Sequence, residues 1–206
     1  MIEELQIKLQ SELPGSSAHR RMIPAGRQLT LNPPDNAIRS AVMVLLFDID
    51  KKWNTILIRR TQDGRTHSGQ ISFPGGKMEK FDQSLVQTAI RECEEEIGVR
   101  RQDITIVGSL SGLYIPPSNF WVEPIVGYIN TLQQFKASEK EVAEIIQVPL
   151  ELLFLPETKT QARVQPRSNP SDWIETPAYE LSDDLCIWGA TAMIISELEA
   201  LIVPAS

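Results

Sequence analysis

Several residue types that define other classes of protein are scarce in this chain of 206 residues. Only two cysteines occur, Cys93 and Cys186, and neither has a companion at the spacing of a metal or redox motif. Both are therefore predicted to be buried thiols. No run approaches about 18 consecutive apolar residues, and the N-terminus lacks the basic start and apolar core of a signal peptide. The sequence thus predicts a cytoplasmic protein with no membrane partner.

Positive charge is also in short supply. The chain has 20 Lys and Arg against 27 Asp and Glu, which gives a formal net charge of -7 at pH 7. Since affinity for nucleic acid comes largely from Lys and Arg that neutralise phosphates, this balance argues against a nucleic-acid partner. A small molecule is the expected ligand.

The hydrophobic content of 42% is enough for one substantial core. Leucine and isoleucine recur at helical spacing from Ile2 to Leu13 and predict an N-terminal helix, and a Pro/Asn-rich stretch follows over 32–36. We therefore predict an N-terminal helix and arm over 1–38 and one domain over 39–206.

Within that domain, patterns of helix and strand alternate. Residues 83–97 predict a helix with Asp82 as its N-cap and Gly98 as the residue that ends it, and residues 189–202 predict a second helix. Aliphatic and β-branched runs predict strands at 40–47, 55–58, 104–110, 121–129, 143–148, 162–164 and 178–181. Residues 61–76 are predicted as a loop. The order lacks a regular strand-helix-strand repeat, so it predicts an α/β fold with a mixed β-sheet and helices on its faces.

Three glutamates share one side of the predicted helix. At about 100° per residue, Glu92, Glu95 and Glu96 point in similar directions. Their repulsion favours a cation among them, and hard divalent ions such as Mg²⁺ take oxygen ligands of this kind. Arg91 precedes Glu95 by one helical turn and can pair with it. The alternative interpretation is a solvated acidic face without a ligand.

A double-glycine turn, Phe73-Pro74-Gly75-Gly76, precedes this helix. Glycine backbone can approach a ligand closely, and the Gly76 carbonyl can serve as a further metal ligand. An acidic trio, a preceding double-glycine turn and a terminating glycine in this order favour a metal site over a solvated face.

The segment from Gly76 to Val99 resembles the Nudix box. That pattern is Gly, five residues, Glu, seven residues, Arg-Glu, an aliphatic residue, any residue, Glu-Glu, any residue, Gly and an aliphatic residue. Its second half matches from Arg91 to Val99, with Cys93 in the aliphatic place. Its first half is one residue longer here, and Asp82 stands at the early Glu.

The resemblance implies a Nudix α/β/α sandwich and an enzyme that uses Mg²⁺ or Mn²⁺ to hydrolyse the diphosphate of a small nucleoside diphosphate derivative. It assigns the metal ligands to Glu92, Glu95, Glu96 and Gly76, catalytic roles to Glu92, Glu95 and Glu141, and structural roles to Gly75, Arg91 and Gly98. The general base in such enzymes is either a glutamate of the box or one in a later loop. Glu141 and Glu144 are the candidates for the latter.

The longer box is typical of the coenzyme A pyrophosphatase-like branch of that family. The upstream signature of that branch also has its counterpart here, with every spacing kept, in Ile56-Leu57-Ile58-Arg59-Arg60-Thr61, Arg65, Gly69 and Phe73-Pro74-Gly75-Gly76. Ile58 and Thr61 replace its Thr and Ser. Arg59, Arg60 and Arg65 are candidates for binding the anionic substrate, because the guanidinium group suits bidentate contact with phosphate.

The branch implies hydrolysis of coenzyme A or an acyl-CoA to adenosine 3′,5′-bisphosphate and (acyl-)phosphopantetheine. Two alternatives stay open. One is a Nudix enzyme that acts on ADP-ribose, nucleotide sugars or nucleoside triphosphates, and the other is a catalytically silent nucleotide-binding Nudix domain. A homodimer that pairs through the N-terminal arm also stays open.

Overall fold

The computed structural model describes residues 1–30, 32–61, 69–130, 134–165 and 173–203. Within these ranges the chain forms five α-helices and eleven strands. The helices are α1 (Ile2–Leu9), α2 (Ser16–His19), α3 (Leu85–Ile97), α4 (Leu150–Phe154) and α5 (Gly189–Ile202). The strands are β1 (Ile38–Ile49), β2 (Lys52–Arg60), β3 (Ile71–Ser72), β4 (Gly75–Lys77), β5 (Thr105–Ser109), β6 (Leu113–Ile115), β7 (Phe120–Ile129), β8 (Val142–Pro149), β9 (Lys159–Val164), β10 (Ile174–Ser182) and β11 (Leu185–Trp188).

Eight of these strands form one mixed sheet. Its order is β3-β2-β1-β7-β5, with β4 paired to β1, β6 to β7 and β8 to β2. The central pair, β1 with β7, is parallel from Ile38 opposite Phe120 to Phe47 opposite Ile129, whereas the other pairs are antiparallel. Strands β9, β10 and β11 form a separate antiparallel sheet. The predicted mixed sheet is confirmed.

Helices cover both faces of the large sheet. Side chains of β1 alternate between two apolar clusters, because successive residues of a strand point to opposite faces. Met43 and Leu45 pack with Ala89, Cys93 and Ile97 of α3 on one face. Val44 and Leu46 belong to the cluster on the other face, which also contains Ala192, Ile195 and Leu198 of α5. The predicted α/β/α layering is therefore confirmed.

The N-terminal segment packs into the same core. Leu5 of α1 and Met22 are buried in the cluster that contains α5. The carboxylate of Glu197 in α5 is fully buried and accepts hydrogen bonds from the Gly15 amide (2.9 Å), the Ser111 amide (3.1 Å) and the Ser111 hydroxyl (2.6 Å). His19 Nε2 lies 3.0 Å from the same carboxylate. The arm is thus fixed to α5 by both apolar and polar contacts.

The secondary structure differs from the sequence predictions at several points. Helix α3 begins at Leu85 with Ser84 as its N-cap, so the prediction of Asp82 as N-cap is wrong. The N-terminal helix ends at Leu9, well before Leu13. The segment predicted as a loop over 61–76 contains β3 and most of β4. Among the described residues, no helix is long and apolar enough to cross a membrane.

Candidate metal and catalytic site

Helix α3 carries the acidic residues, and both of its ends are capped. At its start the Ser84 hydroxyl accepts a hydrogen bond from the Gln87 amide, which satisfies one of the amides that a helix leaves unpaired. At its end Gly98 takes a left-handed conformation with φ of 74°, as glycine favours at this position. The prediction that Gly98 ends the helix is confirmed.

The double-glycine turn lies directly against this helix. Strand β4 pairs with the start of β1, with Gly76 opposite Ala41 and Gly75 opposite Val42. The Gly75 amide donates a hydrogen bond to Glu96 Oε2 at 2.8 Å. A Cβ atom on Gly76 would lie 2.4 Å from Glu92 Oε1. Only glycine at position 76 therefore leaves the Glu92 carboxylate in its place.

A loop brings a third glutamate to the same point. The amides of Lys136 and Ser138 donate to the carbonyls of Ile97 and Glu96 at the end of α3, both at 2.9 Å, and so occupy acceptors that the helix leaves unpaired. This contact directs the chain to Glu141, immediately before β8. Glu92, Glu96 and Glu141 each offer a carboxylate oxygen within 4.8 Å of the other two.

The environment of Glu92 and Glu96 raises the pKa of both carboxyl groups. Burial raises the pKa of Glu96 to about 7, although Arg60 and the Gly75 amide act in the opposite direction. Burial also raises the pKa of Glu92, and the neighbouring charges of Glu95 and Glu141 add to the increase. A bound divalent cation would stabilise the ionised forms.

Arg91 is held by three acidic partners, Asp82, Glu92 and Glu95. Its Nε and Nη2 donate to the two carboxylate oxygens of Asp82 at 3.1 and 2.9 Å, and its Nη1 donates to Glu92 Oε1 at 2.7 Å and Glu95 Oε2 at 3.0 Å. The Thr88 hydroxyl also donates to Asp82. Asp82 therefore positions Arg91. The sequence signal for this role is the position of Asp82, which stands where the box pattern has its early Glu.

The remaining predicted site residues, Glu95, Arg60, Arg59 and Arg65, have different outcomes. Glu95 pairs with Arg91, its side chain is 51% exposed, and it lies outside the group of three converging carboxylates. Arg60 Nη1 donates to Glu96 Oε1 at 3.1 Å, which places it at the site. Arg59 turns away, because its Nε donates to Glu144 at 2.9 Å and its Nη2 to the Asp184 carbonyl at 3.1 Å. Arg65 lies outside the described residues.

The converging carboxylates suit a hard divalent cation. Such ions take carboxylate and carbonyl oxygens as ligands, and Glu92, Glu96 and Glu141 supply three carboxylates beside the backbone of Gly76. Glu92 and Glu96 come from α3, and Glu141 comes from the loop before β8. An α/β sandwich that gathers glutamates beside a double-glycine turn in this way has the features of a metal-dependent hydrolase.

Comparisons with known proteins agree with this class. Residues 37–168 match the family model described as the NUDIX domain. Two similar curated proteins are both named uncharacterized Nudix hydrolase NudL. The one from Pectobacterium atrosepticum is 32% identical over 178 residues, and the one from Yersinia pestis is 33% identical over 184 residues. Each alignment covers 83% of this chain and 88% of the relative.

A solved structure shares the fold. The MutT/nudix family protein from Enterococcus faecalis aligns with 96% of this chain and 72% of its own, with a TM-score of 0.50 and 15% sequence identity. The chain belongs to the Nudix hydrolase family and is a pyrophosphohydrolase. Nudix hydrolases generally use divalent metal ions, which is consistent with the three converging glutamates.

Proposed function

We propose that this Nudix hydrolase cleaves the diphosphate of coenzyme A or an acyl-CoA and releases adenosine 3′,5′-bisphosphate and (acyl-)phosphopantetheine. The convergence of Glu92, Glu96 and Glu141 within 4.8 Å carries the hydrolytic part of this proposal. The upstream signature from Ile56 to Gly76, with its spacing kept, supports the choice of coenzyme A.

The two departures from that signature are compatible with the same substrate. Ile58 is fully buried in the cluster beneath α3, so its replacement of threonine changes packing rather than a surface that a substrate can reach. The Thr61 hydroxyl donates to the Lys140 carbonyl at 3.1 Å, a contact that a serine hydroxyl can also make. This contact also joins the end of β2 to the loop that carries Glu141.

The contacts at the site support the following division of roles. Glu92 and Glu96 are the direct metal ligands, and the Gly76 carbonyl is a further oxygen donor. Glu95, which lies outside the group of three converging carboxylates, contacts the metal through water. A divalent cation, Mg²⁺ or Mn²⁺, would neutralise the diphosphate and lower the pKa of an attacking water. Glu141 faces Glu92 and Glu96 from the loop before β8 and takes the proton of that water. Arg60, beside Glu96, contacts a phosphate oxygen.

Glu141 and Glu144 provide a matched test of the base. We expect Glu141→Gln to lower kcat at least about 100-fold, because general-base catalysis contributes on that order. Glu144→Gln should leave kcat within about twofold, since Glu144 pairs with Arg59 at a half-exposed position. Steady-state rates at saturating substrate and Mg²⁺ provide the comparison. Equal losses in the two variants would contradict the assignment.

The substrate is tested with the purified full-length protein. Coenzyme A, ADP-ribose, nucleotide sugars and nucleoside triphosphates are incubated with Mg²⁺, with Mn²⁺ and with EDTA, and products are identified by mass spectrometry. Metal-dependent release of phosphopantetheine well above the other cleavages supports the proposal. Preferential cleavage of ADP-ribose or a nucleotide sugar keeps the Nudix chemistry and rejects coenzyme A. No cleavage of any compound would favour a catalytically silent binding domain.

The substrate class, the partners, the location and the oligomeric state are also parts of the proposal. The substrate class is a small nucleoside diphosphate derivative, and the net charge of -7 is the reason that we expect no nucleic-acid partner. A cytoplasmic location and a homodimer are likewise predictions. Size-exclusion chromatography with light scattering tests the dimer.

A further inference from the structure

Phe81 is an exposed aromatic residue beside the candidate site. It lies between β4 and α3, and 70% of its surface is exposed. The centroid of its ring is 5.5 Å from Arg91 Cζ, within the range of a cation–π contact. One face of the ring thus lies towards the guanidinium group, and much of the rest of its surface is open to solvent.

The guanidinium group beneath the ring has little freedom to move. The Arg91 side chain is 6% exposed and forms ion pairs with Asp82, Glu92 and Glu95. A ring that packs on such a group is restrained in turn, so Phe81 loses less conformational freedom on contact with a ligand than a solvated side chain would. Phe81 is therefore a preorganised apolar surface.

The position of this surface relative to the metal ligands suggests its ligand. Arg91 Nη1 is 2.7 Å from Glu92 Oε1, so one guanidinium group separates the phenyl ring from a carboxylate of the site. In a nucleoside diphosphate, one ribose unit separates the diphosphate from the planar base. When a diphosphate binds at Glu92 and Glu96, the distance from the diphosphate to its base is therefore comparable to the distance from Glu92 to the Phe81 ring.

We propose that Phe81 stacks on the nucleobase of the substrate and contributes to its recognition. The inference rests on the proposed function, because it requires a nucleoside diphosphate at the three glutamates. Stacking buries the open face of the phenyl ring and one face of the base, and it is tolerant of base identity because every base has a π-face. Phe81 thus acts as a substrate-binding residue rather than as a catalytic one.

A purely structural role makes a different prediction. If the ring only covers the ion pair between Arg91 and Asp82, its removal lowers thermal stability and kcat and leaves KM unchanged. If the ring contacts the base, its removal raises KM and leaves kcat nearly unchanged, because the lost binding energy is shared by the ground state and the transition state.

The test compares Phe81→Ala, Phe81→Leu and Phe81→Tyr in the full-length protein. Trp173→Ala is the matched control, since Trp173 is 55% exposed and its ring lies 5.4 Å from Arg163 Cζ on the other sheet. We expect Phe81→Ala to raise KM about tenfold, which corresponds to about 1.4 kcal/mol. Phe81→Leu, which is apolar but not planar, should resemble it, whereas Phe81→Tyr and Trp173→Ala should stay within about twofold of the unmodified protein.

Calorimetric binding with Mg²⁺ separates failure of this inference from failure of the proposed function. The probes are ADP and ribose 5-diphosphate, which lacks the base. Phe81→Ala should weaken ADP binding about tenfold and leave ribose 5-diphosphate binding unchanged, whether or not any compound in the substrate panel is hydrolysed. Equal binding of ADP by Phe81→Ala and the unmodified protein would overturn the inference, as would an unchanged KM with a lowered melting temperature.

Discussion

Gly75 and Gly76 are neighbours in the chain, yet different atoms exclude a side chain at each. A Cβ atom on Gly75 would lie 2.4 Å from the Ala41 carbonyl oxygen and 2.6 Å from Val42 Cα, which are backbone atoms of the central strand. At Gly76 the obstructing atoms belong to the Glu92 carboxylate. The backbone of β1 cannot move without disturbing the sheet, whereas a carboxylate can rotate away from a metal site.

Alanine substitutions should therefore separate folding from metal binding. We expect Gly75→Ala to lower the free energy of unfolding by about 2 kcal/mol or more through overpacking. Gly76→Ala should lower it less, but weaken Mn²⁺ binding and kcat at least about tenfold by displacing Glu92. Urea unfolding and calorimetric titration with Mn²⁺ measure the two effects. Similar profiles for the two variants would show that the glycines have a common role.

Asp82 provides a test of the buried ion pair. Asp82→Asn leaves the Arg91 guanidinium without its main counterion at a site that is 6% exposed. We expect a loss of about 3 kcal/mol in the free energy of unfolding at pH 7, as is typical when one partner of a buried pair is removed. Glu94→Gln, which removes a more exposed pair with Arg101, should cost less than about 1 kcal/mol.

The contribution of Asp82 depends on pH in a defined direction. Hydrogen bonds from Arg91 hold the pKa of Asp82 at about 2, below its ordinary value of 3.8. The stabilisation is therefore present above pH 3.8 and is lost as the pH falls from 3.8 towards 2. The stability difference between the unmodified protein and Asp82→Asn should shrink over that interval. A difference that stays constant from pH 5 to pH 2 would contradict the assignment.

At the residue scale, the sequence predicted the site residues of helix α3 better than those of the loops. Helical periodicity alone placed Glu92, Glu95 and Glu96 on one side of α3, but it did not separate Glu95, which lies outside the group of three converging carboxylates. Glu141 and Glu144 could not be separated in this way, since both stand near the start of one predicted strand. Tertiary contacts separate them: Glu144 lies opposite Arg59 in the β2–β8 register, and the segment containing Ser138 directs Glu141 towards α3.

At the scale of elements, α3 couples metal binding to protonation. Burial on this helix raises the pKa of Glu96 to about 7. Below that pH a divalent cation must displace the proton of Glu96, and we expect the Mn²⁺ affinity to fall about tenfold per pH unit as the pH falls from 7 to 5.5. Calorimetric titrations across pH 5.5–8 test this. An affinity that is independent of pH would contradict it.

The same pKa shift makes the metal-free protein less stable as the pH rises, which is opposite to its effect on metal affinity. The pKa of Glu96 is raised above its ordinary value of 4.5, so its contribution to stability is fully present below pH 4.5 and is lost as the pH rises through about 7. Bound metal should remove this loss. Thermal unfolding with EDTA and with Mn²⁺ at pH 5 and pH 8 provides the comparison.

Elements with a long periodic pattern were predictable, and short ones were not. Helix α5 has the predicted bounds, 189–202, and α3 differs from its prediction only at the start. Strands β3, β4, β6 and β11 contain two to four residues each, too few to show an alternation. They are strands because a neighbouring strand supplies their hydrogen-bond partners, and a single sequence does not specify that neighbour.

At the scale of the whole molecule, Glu197 tests how strongly the N-terminal arm is joined to the rest. Burial opposes ionisation of Glu197, but hydrogen bonds from His19, Ser111 and Gly15 together hold its pKa below the usual value. Glu197→Ala should lower the free energy of unfolding by about 3 kcal/mol, because buried donors lose their acceptor. Ser111→Ala should cost about 1 kcal/mol. Urea unfolding at pH 7 measures both, and a neutral Glu197→Ala would show that the arm is held by apolar contacts alone.

The parallel pairing of β1 with β7 also governs the order in which the molecule can assemble. Ile38 lies opposite Phe120, so the hairpin of β1 and β2 can form locally, whereas the central pair must wait for a long intervening segment to close. That segment contains β4 and α3 with Glu92 and Glu96. A nascent chain therefore exposes its cluster of acidic side chains before the sheet that will neighbour them is complete, and refolding should regain metal binding only in its slowest phase.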